Sequence, residues 1–386
     1  MSQATLIDRH SVKHTSTRKY LEFTALCLLA VALIWWFGRK LDWVEVRAAL
    51  SKADWFLLSV AVLVISAAYL FRAYRWGTLL APLCPARISD LFAATTVGFG
   101  AVFLVGRAGE VVRPVVLPMR DPRIRPSASF VTILVERIYD LMAVILIFAI
   151  NLLWFRPPTD SSIELAKVRF AGAVLLGLAI AGIVGLIWYR RNSERVIQIW
   201  QRLFRGRWFM PNRINRAFVS LLEQLARALR VLVDAKELAV TIAWTTLVWF
   251  GIALANLLVL RAFGLPFGIK ETLFVLGWSL VGSLVPTPGG AAGAFHAATA
   301  AGLLVLGVTR ETAAAISIVM HLVDFGPALL IGLFYFIRGD INISRLRSLI
   351  STDALEQAVE REDAVPASRP EVEVASREVK ESYIRS

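Results

Sequence analysis

Cysteine and histidine are scarce in this chain of 386 residues, which contains two cysteines and four histidines. Cys27 and Cys84 lie far apart, in or beside apolar runs, so the sequence indicates neither a disulfide framework nor a metal site. Phosphate-binding loops, zinc motifs and full hydrolase signatures are also missing from the sequence. We therefore expect a protein that has no metal ion, no cofactor and no catalytic residues.

Apolar residues, by contrast, are abundant. Hydrophobic side chains make up 57% of the chain and its mean hydropathy is +0.63, values typical of a polytopic membrane protein. The net charge of +13 would suggest nucleic-acid binding in a soluble protein. In this sequence the Lys and Arg residues lie mainly in loops between apolar runs, as the positive-inside rule expects, so we expect no nucleic-acid partner.

The apolar runs predict an all-α integral membrane protein with about six spanning helices and two re-entrant helical hairpins. The spanning helices are expected at about residues 22–38, 55–71, 129–155, 168–189, 238–260 and 312–337. The second span is expected to end at Arg72 and Arg75, on the cytoplasmic face. Because the dense basic loops then fall on one side, we predict a multi-pass protein of a bacterial-type inner membrane with both termini in the cytoplasm.

The two hairpins are expected at 88–105 and 272–305, where apolar sequence is rich in small residues or is broken. Basic residues flank both sides of the first, so this segment should leave and return on the cytoplasmic face. The segment from Gly106 to Pro114 that follows it is either an ordinary cytoplasmic loop or part of a phosphate site, for which Arg is the suited side chain.

Polar segments flank and interrupt the predicted transmembrane domain, which extends over residues 21–340. Residues 1–20 are polar and basic and are expected to form a cytoplasmic tail. Residues 190–237 combine basic and aromatic side chains, a pattern that favours an amphipathic region on an anionic membrane surface. Residues 341–386 lack apolar periodicity and are predicted to form a largely disordered cytoplasmic tail.

The stretch from Ser283 to His296 should interrupt a helix, because two prolines and three glycines fall within eight residues. In hydrocarbon, a broken backbone must bury its free N–H and C=O groups in protein or line a wet cavity. Discontinuous helices of this kind point to the binding sites of transporters. The alternative is a proline-kinked spanning helix. The residues expected to gate such a site are Pro286, Pro288, Gly289, Gly290 and Gly293.

The third predicted span carries three charged side chains, Glu136, Arg137 and Asp140. Each costs about 2.5–3.5 kcal/mol at the centre of a membrane helix, so together they about cancel the gain from the apolar residues of the span. Their spacing of three and four residues places them on one face, which is expected to contact protein or water. They could form a functional site, or an Arg137–Asp140 ion pair could simply stabilise the fold.

The pattern around these charges recurs in the last predicted span, where His321 precedes Asp324 by three residues, as Arg137 precedes Asp140. Each span also follows a small-residue hairpin, which suggests an inverted repeat with a site at its interface. His296 and His321 are the only histidines of the membrane region. They are interpreted as proton or headgroup partners, or alternatively as packed helix-surface residues.

Three motifs in this order resemble the transmembrane domain of lysylphosphatidylglycerol synthases and its stand-alone relatives. They are Gly106-Arg107-Ala108-Gly109-Glu110 with Arg113, Glu136-Arg137 with Asp140, and Pro286-Thr287-Pro288-Gly289-Gly290. The resemblance covers residues from about 20 to 340. It implies a flippase that moves lipids between leaflets, without the soluble domain that attaches the amino acid. The family pattern places a Glu after Pro-Gly-Gly and an Arg in the last span, where this sequence has His296 and His321.

The resulting hypothesis is a flippase-like lipid translocase with an intramembrane polar cavity. Its expected partner is a membrane phospholipid, anionic or aminoacylated, and the formation of a homo-oligomer is left open. The alternatives are a membrane scaffold protein and an intramembrane hydrolase or phosphatase, built from Ser279 and His321 or from His296, His321 and Asp324. The substrate-binding candidates are Arg107, Glu110, Arg113, Glu136, Arg137, Asp140, His296, His321 and Asp324.

Overall fold

The computed structural model describes residues 41–154, 162–204 and 235–338, together with isolated positions at 28, 32, 35, 38, 39, 219 and 222. Apart from those positions, the predicted tails at 1–20 and 341–386 and the predicted first span at 22–38 lie outside the described residues. So does most of the basic region between 205 and 234. Every regular element in the described part of the chain is helical.

The α-helices of the described ranges are numbered in chain order. They are α1 Trp43–Ser51, α2 Trp55–Leu80, α3 Ile88–Val105, α4 Val112–Arg120, α5 Pro126–Trp154, α6 Ser162–Phe204, α7 Ala235–Ala262, α8 Ile269–Gly282, α9 Ala294–Val305 and α10 Arg310–Ile337. A 3₁₀ helix, Gly106–Val111, joins α3 to α4, and a short helical turn, Pro288–Ala291, lies between α8 and α9.

Helix α2 begins at a side-chain cap and is longer than the sequence predicts. Asp54 Oδ1 accepts hydrogen bonds from the backbone amides of Phe56 (2.9 Å) and Leu57 (3.2 Å), two donors that a helix start leaves free. The expectation that this span ends at Arg72 and Arg75 is wrong, because the helix continues to Leu80 and Arg75 is fully buried within it. Carboxylates on α5 form ion pairs with both arginines, so these residues do not mark the membrane surface.

Four helices among the described residues are long and apolar enough to cross a bilayer, judged by length and composition. They are α2, α3, α7 from Lys236 onwards, and α10. Their surfaces carry large exposed apolar side chains, including Phe56, Leu63, Phe250 and Leu330. Exposed apolar surface of this extent suits contact with lipid tails better than contact with water. The described part of the chain is therefore all-helical, and the protein is a multi-pass membrane protein.

Helices α3 and α4 form an antiparallel hairpin whose tip is the 3₁₀ helix. Near the base of the hairpin, Arg120 Nε donates a hydrogen bond to Asp90 Oδ1 at 2.9 Å. The expectation of a hairpin inside 88–105 is therefore wrong, because those residues form one continuous helix and α4 is the return arm. The glycines of α3 are sites of close packing and do not break the helix. A Cβ atom added at Gly100 would lie 3.3 Å from the carbonyl oxygen of Ala328 on α10.

Helices α8 and α9 form the second antiparallel hairpin, and the break expected between them is present. Gly289, Gly290 and Gly293 have φ values of +76°, +61° and +83°, a conformation that favours glycine. Across the hairpin, Ser279 Oγ and Thr299 Oγ1 share a hydrogen bond of 2.8 Å. The glycines thus let the chain reverse direction between the two helices, within the eleven residues from 283 to 293.

The described helices contain two halves of the same plan, a first half from α2 to α5 and a second half from α7 to α10. Each half has a long helix, a hairpin and a second long helix. The first long helices, α2 and α7, pack along each other, while α10 packs on the hairpin of the first half and α5 on the hairpin of the second. One apolar core surrounds Trp76 and Leu117, and another surrounds Leu303 and Met320.

The tips of the two hairpins meet. Gly106 has φ +68°, and a Cβ atom at this position would lie 2.7 Å from the carbonyl oxygen of Thr287. The base of the second hairpin is joined to the start of α10 by residues 306–309. The base of the first hairpin lies beside the other end of α10, where the rings of Phe92 and Tyr335 meet edge to face. The hairpins therefore enter the helix bundle from opposite ends.

Candidate functional site

A cavity of about 430 Å³ is lined by residues of both halves. Both hairpin tips reach it, the first through Gly106 and Glu110 and the second through Thr287 and Gly290. The other polar residues that line it are Tyr69, Arg72, Arg137, Asp140, Ser279, Ser283 and Asp324. Its volume lies within the range of small-molecule sites. Apolar side chains make up most of the remaining wall.

Arg75 is the centre of a buried charge network in the first half. Its Nη1 and Nη2 atoms donate to Asp140 Oδ1 (2.6 Å) and Oδ2 (3.0 Å), and Nη2 also lies 3.1 Å from Glu136 Oε1. The planar guanidinium group matches a carboxylate in this two-pronged geometry. Because an unpaired charge is very costly in this environment, these ion pairs allow α2 and α5 to bury their charged residues against each other.

Arg113, at the start of α4, joins the same network from the first hairpin. Its Nη1 atom donates to Glu136 Oε1 at 2.7 Å, and its guanidinium carbon lies 4.2 Å from the centre of the Trp76 ring. Trp76 Nε1 in turn donates to Thr132 Oγ1 on α5 at 3.0 Å. Arg113 and Glu136, both predicted site residues, are buried behind the cavity wall. They position the hairpin against α5.

Arg72 and Arg137 bring the network to the cavity. Arg72 Nη1 lies 3.6 Å and Arg137 Nη1 3.9 Å from Asp140 Oδ2, and Arg137 Nη2 lies 3.5 Å from Glu136 Oε1. These distances are longer than those that Arg75 forms. Both guanidinium groups lie near the ring of Phe99, at 4.9 Å and 5.6 Å from its centre. The Arg137–Asp140 ion pair that was expected as an alternative is therefore present, but Arg75 forms the shorter, two-pronged contact with Asp140.

Positive charge exceeds negative charge in this network. Its four arginines form their ion pairs with only two carboxylates among the described residues, which leaves two positive charges in excess. Arg72 Nη1 and Arg137 Nε are buried nitrogen atoms with no hydrogen-bond partner in the described part of the chain. Guanidinium donors that are not satisfied by protein can bind a phosphate group. The part of the cavity wall that Arg72 and Arg137 form is therefore suited to an anion, although Glu110 and Asp324 also line the cavity.

Arg72 and Arg75 were not among the predicted site residues, because arginines beside an apolar run usually mark the membrane surface. A signal was available in the sequence. The apolar run continues from Trp76 to Leu80 before Pro82, which argues for a helix that extends past the arginines. Their spacing of three residues also places both on one face of α2.

His296 and His321 form a hydrogen-bonded pair in the second half. His321 Nε2 lies 3.1 Å from the carbonyl oxygen of Gly290, which can only accept, so the ring donates from Nε2. In the neutral ring Nδ1 is then an acceptor, and His296 Nε2 donates to it at 3.2 Å. Three phenylalanine rings surround His321. Neither histidine lines the cavity, but the pair supports the hairpin tip that does.

Asp324 on α10 is the carboxylate of the second half that lines the cavity. Its Oδ1 atom accepts a hydrogen bond from Asn256 Nδ2 at 3.2 Å, and its backbone oxygen accepts one from the Tyr69 hydroxyl at 2.7 Å. Asn256 and Tyr69 were not predicted. The sequence signal for Asn256 is that it is the lone amide in the apolar run from Ile252 to Leu260. A polar side chain in such a run is costly to bury, so its presence points to a binding or structural role.

The structure brings together some of the predicted residues and separates others. Those that line the cavity are Glu110, Arg137, Asp140, Gly290 and Asp324. Those that do not line it are Arg113, Glu136, His296 and His321, and the gating candidates Pro286, Pro288, Gly289 and Gly293. The side chain of Arg107 lies outside the described residues. The cavity therefore brings together Arg137 and Asp140 of α5 with Gly290 of the glycine-rich break.

The hydrogen bonds required for a serine hydrolase dyad are not formed between Ser279 and His321. Ser279 Oγ donates to the carbonyl oxygen of Val275 (3.0 Å) and shares its other hydrogen bond with Thr299. Both ring nitrogens of His321 are engaged as described above. The described residues also contain no group of three or more His, Cys, Asp or Glu side chains that could hold a metal ion.

Long apolar helices around a cavity that contains charged side chains, with two hairpins that meet at their tips, define a multi-pass membrane protein with a candidate internal site. Residues 24–332 match the family described as the lysylphosphatidylglycerol synthase TM region, and the chain belongs to this family. The resemblance seen in the three sequence motifs is thereby confirmed. The chain is also 24% identical over 334 residues to a UPF0104 membrane protein of Methanothermobacter thermautotrophicus, covering 83% of this chain and 93% of that protein.

Proposed function

We propose that this protein is a flippase-like translocase that moves a phospholipid between the leaflets of its membrane. The observation that carries the proposal is the arginine network of the first half, in which four arginines share two carboxylates and two of the arginines, Arg72 and Arg137, line the cavity. An anionic group is the counter-charge that this network lacks. The family relationship also supports a lipid substrate, since the matched region is the membrane part of a lipid synthase.

In this proposal the lipid phosphate binds to Arg72 and Arg137, the two arginines on the cavity wall. Arg75 and Arg113 are positioning residues, because they hold the carboxylates of Asp140 and Glu136 and leave the other two guanidinium groups less engaged. The substrate class is an anionic or aminoacylated phospholipid. Its acyl chains remain in the bilayer while the polar headgroup passes through the cavity.

The proposed membrane arrangement has about six spanning helices and two re-entrant hairpins related as an inverted repeat. The entry of the hairpins from opposite ends of the bundle supports this arrangement, because transporters of this plan place their site at the repeat interface. We place the protein in a bacterial-type inner membrane with both termini in the cytoplasm, in agreement with the basic loops.

The contact between Gly106 and Thr287 is proposed to be the gate. Glycine at this position lets two backbones approach without intervening side chains. A small separation of the hairpin tips would open a path for a headgroup beside Gly290, while the surrounding helices stay packed. We assign no catalytic step to the protein, in keeping with the hydrogen bonds that engage Ser279 and His321 elsewhere.

The test is a headgroup-resolved assay of lipid movement in proteoliposomes, with the wild type compared with Arg137→Ala. The Arg137 side chain is 35% exposed, so its loss should leave the fold intact while it removes a phosphate ligand. We expect at least a tenfold loss of flipping rate, since one charge-assisted hydrogen bond contributes about 1.5–3 kcal/mol.

Arg261→Ala is the matched control, because Arg261 is an exposed arginine at the end of α7 that does not line the cavity. This variant should flip lipid at the wild-type rate. A folded Arg137→Ala protein that moves lipid as fast as the wild type would contradict the proposal. Lack of movement of any anionic, zwitterionic or aminoacylated lipid by the wild type would favour a scaffold role.

A further inference from the structure

Asp324 has no cationic partner among the described residues, unlike Glu136 and Asp140. Its described hydrogen-bond donor is the neutral amide of Asn256, and no ion pair to it is found in the described residues. Glu136 and Asp140, by comparison, each lie within 4 Å of three arginines. A carboxylate inside a membrane protein is costly without a compensating charge.

The two halves show where the compensating charge is missing. In the first half, Arg75 on the helix before the hairpin binds Asp140 on the helix after it. In the second half, Asn256 on the helix before the hairpin binds Asp324 on the helix after it. Asn256 therefore contacts Asp324 as Arg75 contacts Asp140, but its amide carries no charge.

The amide of Asn256 also has an acceptor that no protein group satisfies. Its Nδ2 atom donates to the carbonyl oxygen of Ile252 (2.8 Å) and to Asp324 Oδ1. Both partners accept hydrogen bonds when Asp324 is ionised, which fixes the orientation of the amide. Its Oδ1 atom is left without a partner in the described part of the chain, although Asn256 is only 1% exposed. Buried polar atoms of this kind are rare unless a ligand or water completes them.

Other groups near Asp324 do not supply the charge. Arg72 acts on it only at longer range and forms its ion pair with Asp140. The Tyr69 hydroxyl donates to the backbone oxygen of Asp324, so it does not reach the carboxylate with that proton. His321, one turn earlier on α10, is engaged with His296 and Gly290.

We propose that Asp324 and Asn256 form a binding site for a compact monovalent cation, either an alkali ion or a primary ammonium group. The carboxylate supplies the negative charge, and the Oδ1 atom of Asn256, whose Nδ2 atom contacts the carboxylate, supplies a neutral oxygen ligand. Oxygen ligands of both kinds suit hard cations and the three donors of an ammonium group. Asp324 lines the cavity, which gives the cation a route to the site. This inference concerns binding alone and does not depend on lipid movement.

The experiment is thermal unfolding of the purified protein in detergent, in three chloride salts at constant pH and ionic strength. The salts contain sodium, ethylammonium or the bulky N-methylglucamine cation, which cannot enter a compact site. We expect Tm to rise to a plateau as sodium or ethylammonium replaces N-methylglucamine, because a ligand of the folded state stabilises it. A response to sodium alone identifies an alkali-ion site, and a response to ethylammonium identifies a site for a headgroup amine.

The variants separate this site from general salt effects. Asp324→Asn should abolish the rise, while Asn256→Ala should raise the half-saturating concentration about tenfold, since it removes one ligand. Glu311→Gln changes a carboxylate on the same helix outside the cavity and should keep the full response. Asn256→Lys supplies a tethered ammonium group and should unfold at the same temperature in all three salts, a measurement that remains available if Asp324→Asn does not fold. A wild type that is equally stable in all three salts, or an Asp324→Asn protein that keeps the rise, would overturn the proposal.

Discussion

The two halves of the molecule have the same sequence of helices but treat buried polarity differently. The first half surrounds Glu136 and Asp140 with four arginines. The second half uses neutral groups at the comparable contacts, the His296–His321 pair at its hairpin and Asn256 beside Asp324. The first half thus pairs both of these carboxylates with arginines, whereas the second leaves one carboxylate to be compensated from the cavity. Four predictions test this difference.

Arg75→Met should have the largest effect. It leaves Asp140 without its two-pronged partner, and breaking a buried ion pair costs about 3–5 kcal/mol. The matched change in the second half, Asn256→Met, removes a neutral amide and should cost about 1 kcal/mol. Thermal unfolding in detergent measures both. The Arg75→Met/Asp140→Asn double variant should recover part of the loss. Equal losses of stability in the two variants would show that the difference in buried charge between the two halves does not affect stability.

Gly106→Ala should come next, because it affects the contact at which the halves meet. The new Cβ atom would lie 2.7 Å from the Thr287 carbonyl oxygen, at a backbone φ of +68°. We expect a loss of about 1–3 kcal/mol from the backbone conformation, with a further loss from the contact. Gly264→Ala is the control, since Gly264 has φ +72° and open space around it. If the two alanine variants unfold at the same temperature, the tips do not pack as described.

His296→Ala should have a smaller effect than either. It leaves Nδ1 of His321 without its donor, and an unsatisfied buried acceptor costs about 1–2 kcal/mol. Because the pair is held by a neutral hydrogen bond, the loss should not change with salt concentration. His296→Gln offers a replacement donor and should recover part of the stability. Urea unfolding at low and high salt measures both variants, and a strongly salt-dependent loss would mean that the pair is charged.

Asp121→Asn, at the base of the first hairpin, should have the smallest effect. Hydrogen bonds from Arg123 at 2.7 Å and 2.9 Å hold the pKa of the Asp121 carboxyl below its usual range. A depressed pKa stabilises the folded state above the pKa of the unfolded chain, and this contribution disappears as the pH falls through the folded pKa. Since Arg123 faces solvent, we expect a change in Tm near the limit of detection at neutral pH and none in acid. A change that persists in acid would point to another role for Asp121.

Sequence patterns located the long helices well. The expected spans at 129–155, 238–260 and 312–337 correspond to α5, α7 and α10, with ends that differ by three residues or fewer. These helices are long and strongly apolar, and their ends are marked by polar residues, so composition alone defines them. The break between α8 and α9 was equally clear, because prolines and glycines act locally.

The sequence predictions were wrong where a contact with a residue far along the chain determines the local structure. Composition cannot show that carboxylates on α5 allow Arg75 to be buried, so the arginine was placed at the membrane surface. It also cannot distinguish a glycine that breaks a helix from one that allows close packing, as at Gly100. The site was predicted in part for the same reason. Charges of one motif, such as Arg137 and Asp140, were recognised together, but the arginines that α2 contributes and the amide of Asn256 were not.

The separation of Arg75 and Asp140 along the chain has a consequence for biosynthesis. The two residues are 65 positions apart, so the ribosome needs about 3–13 s to make the second after the first at the usual rate of translation. During that interval the guanidinium group has no carboxylate partner, and the insertion machinery receives a helix that carries an arginine inside an apolar run. Arg75 can remain near the headgroups by extending its side chain towards them. We therefore expect helix α2 to reach its final depth only after α5 has been inserted, which would make the order of synthesis part of how the first half assembles.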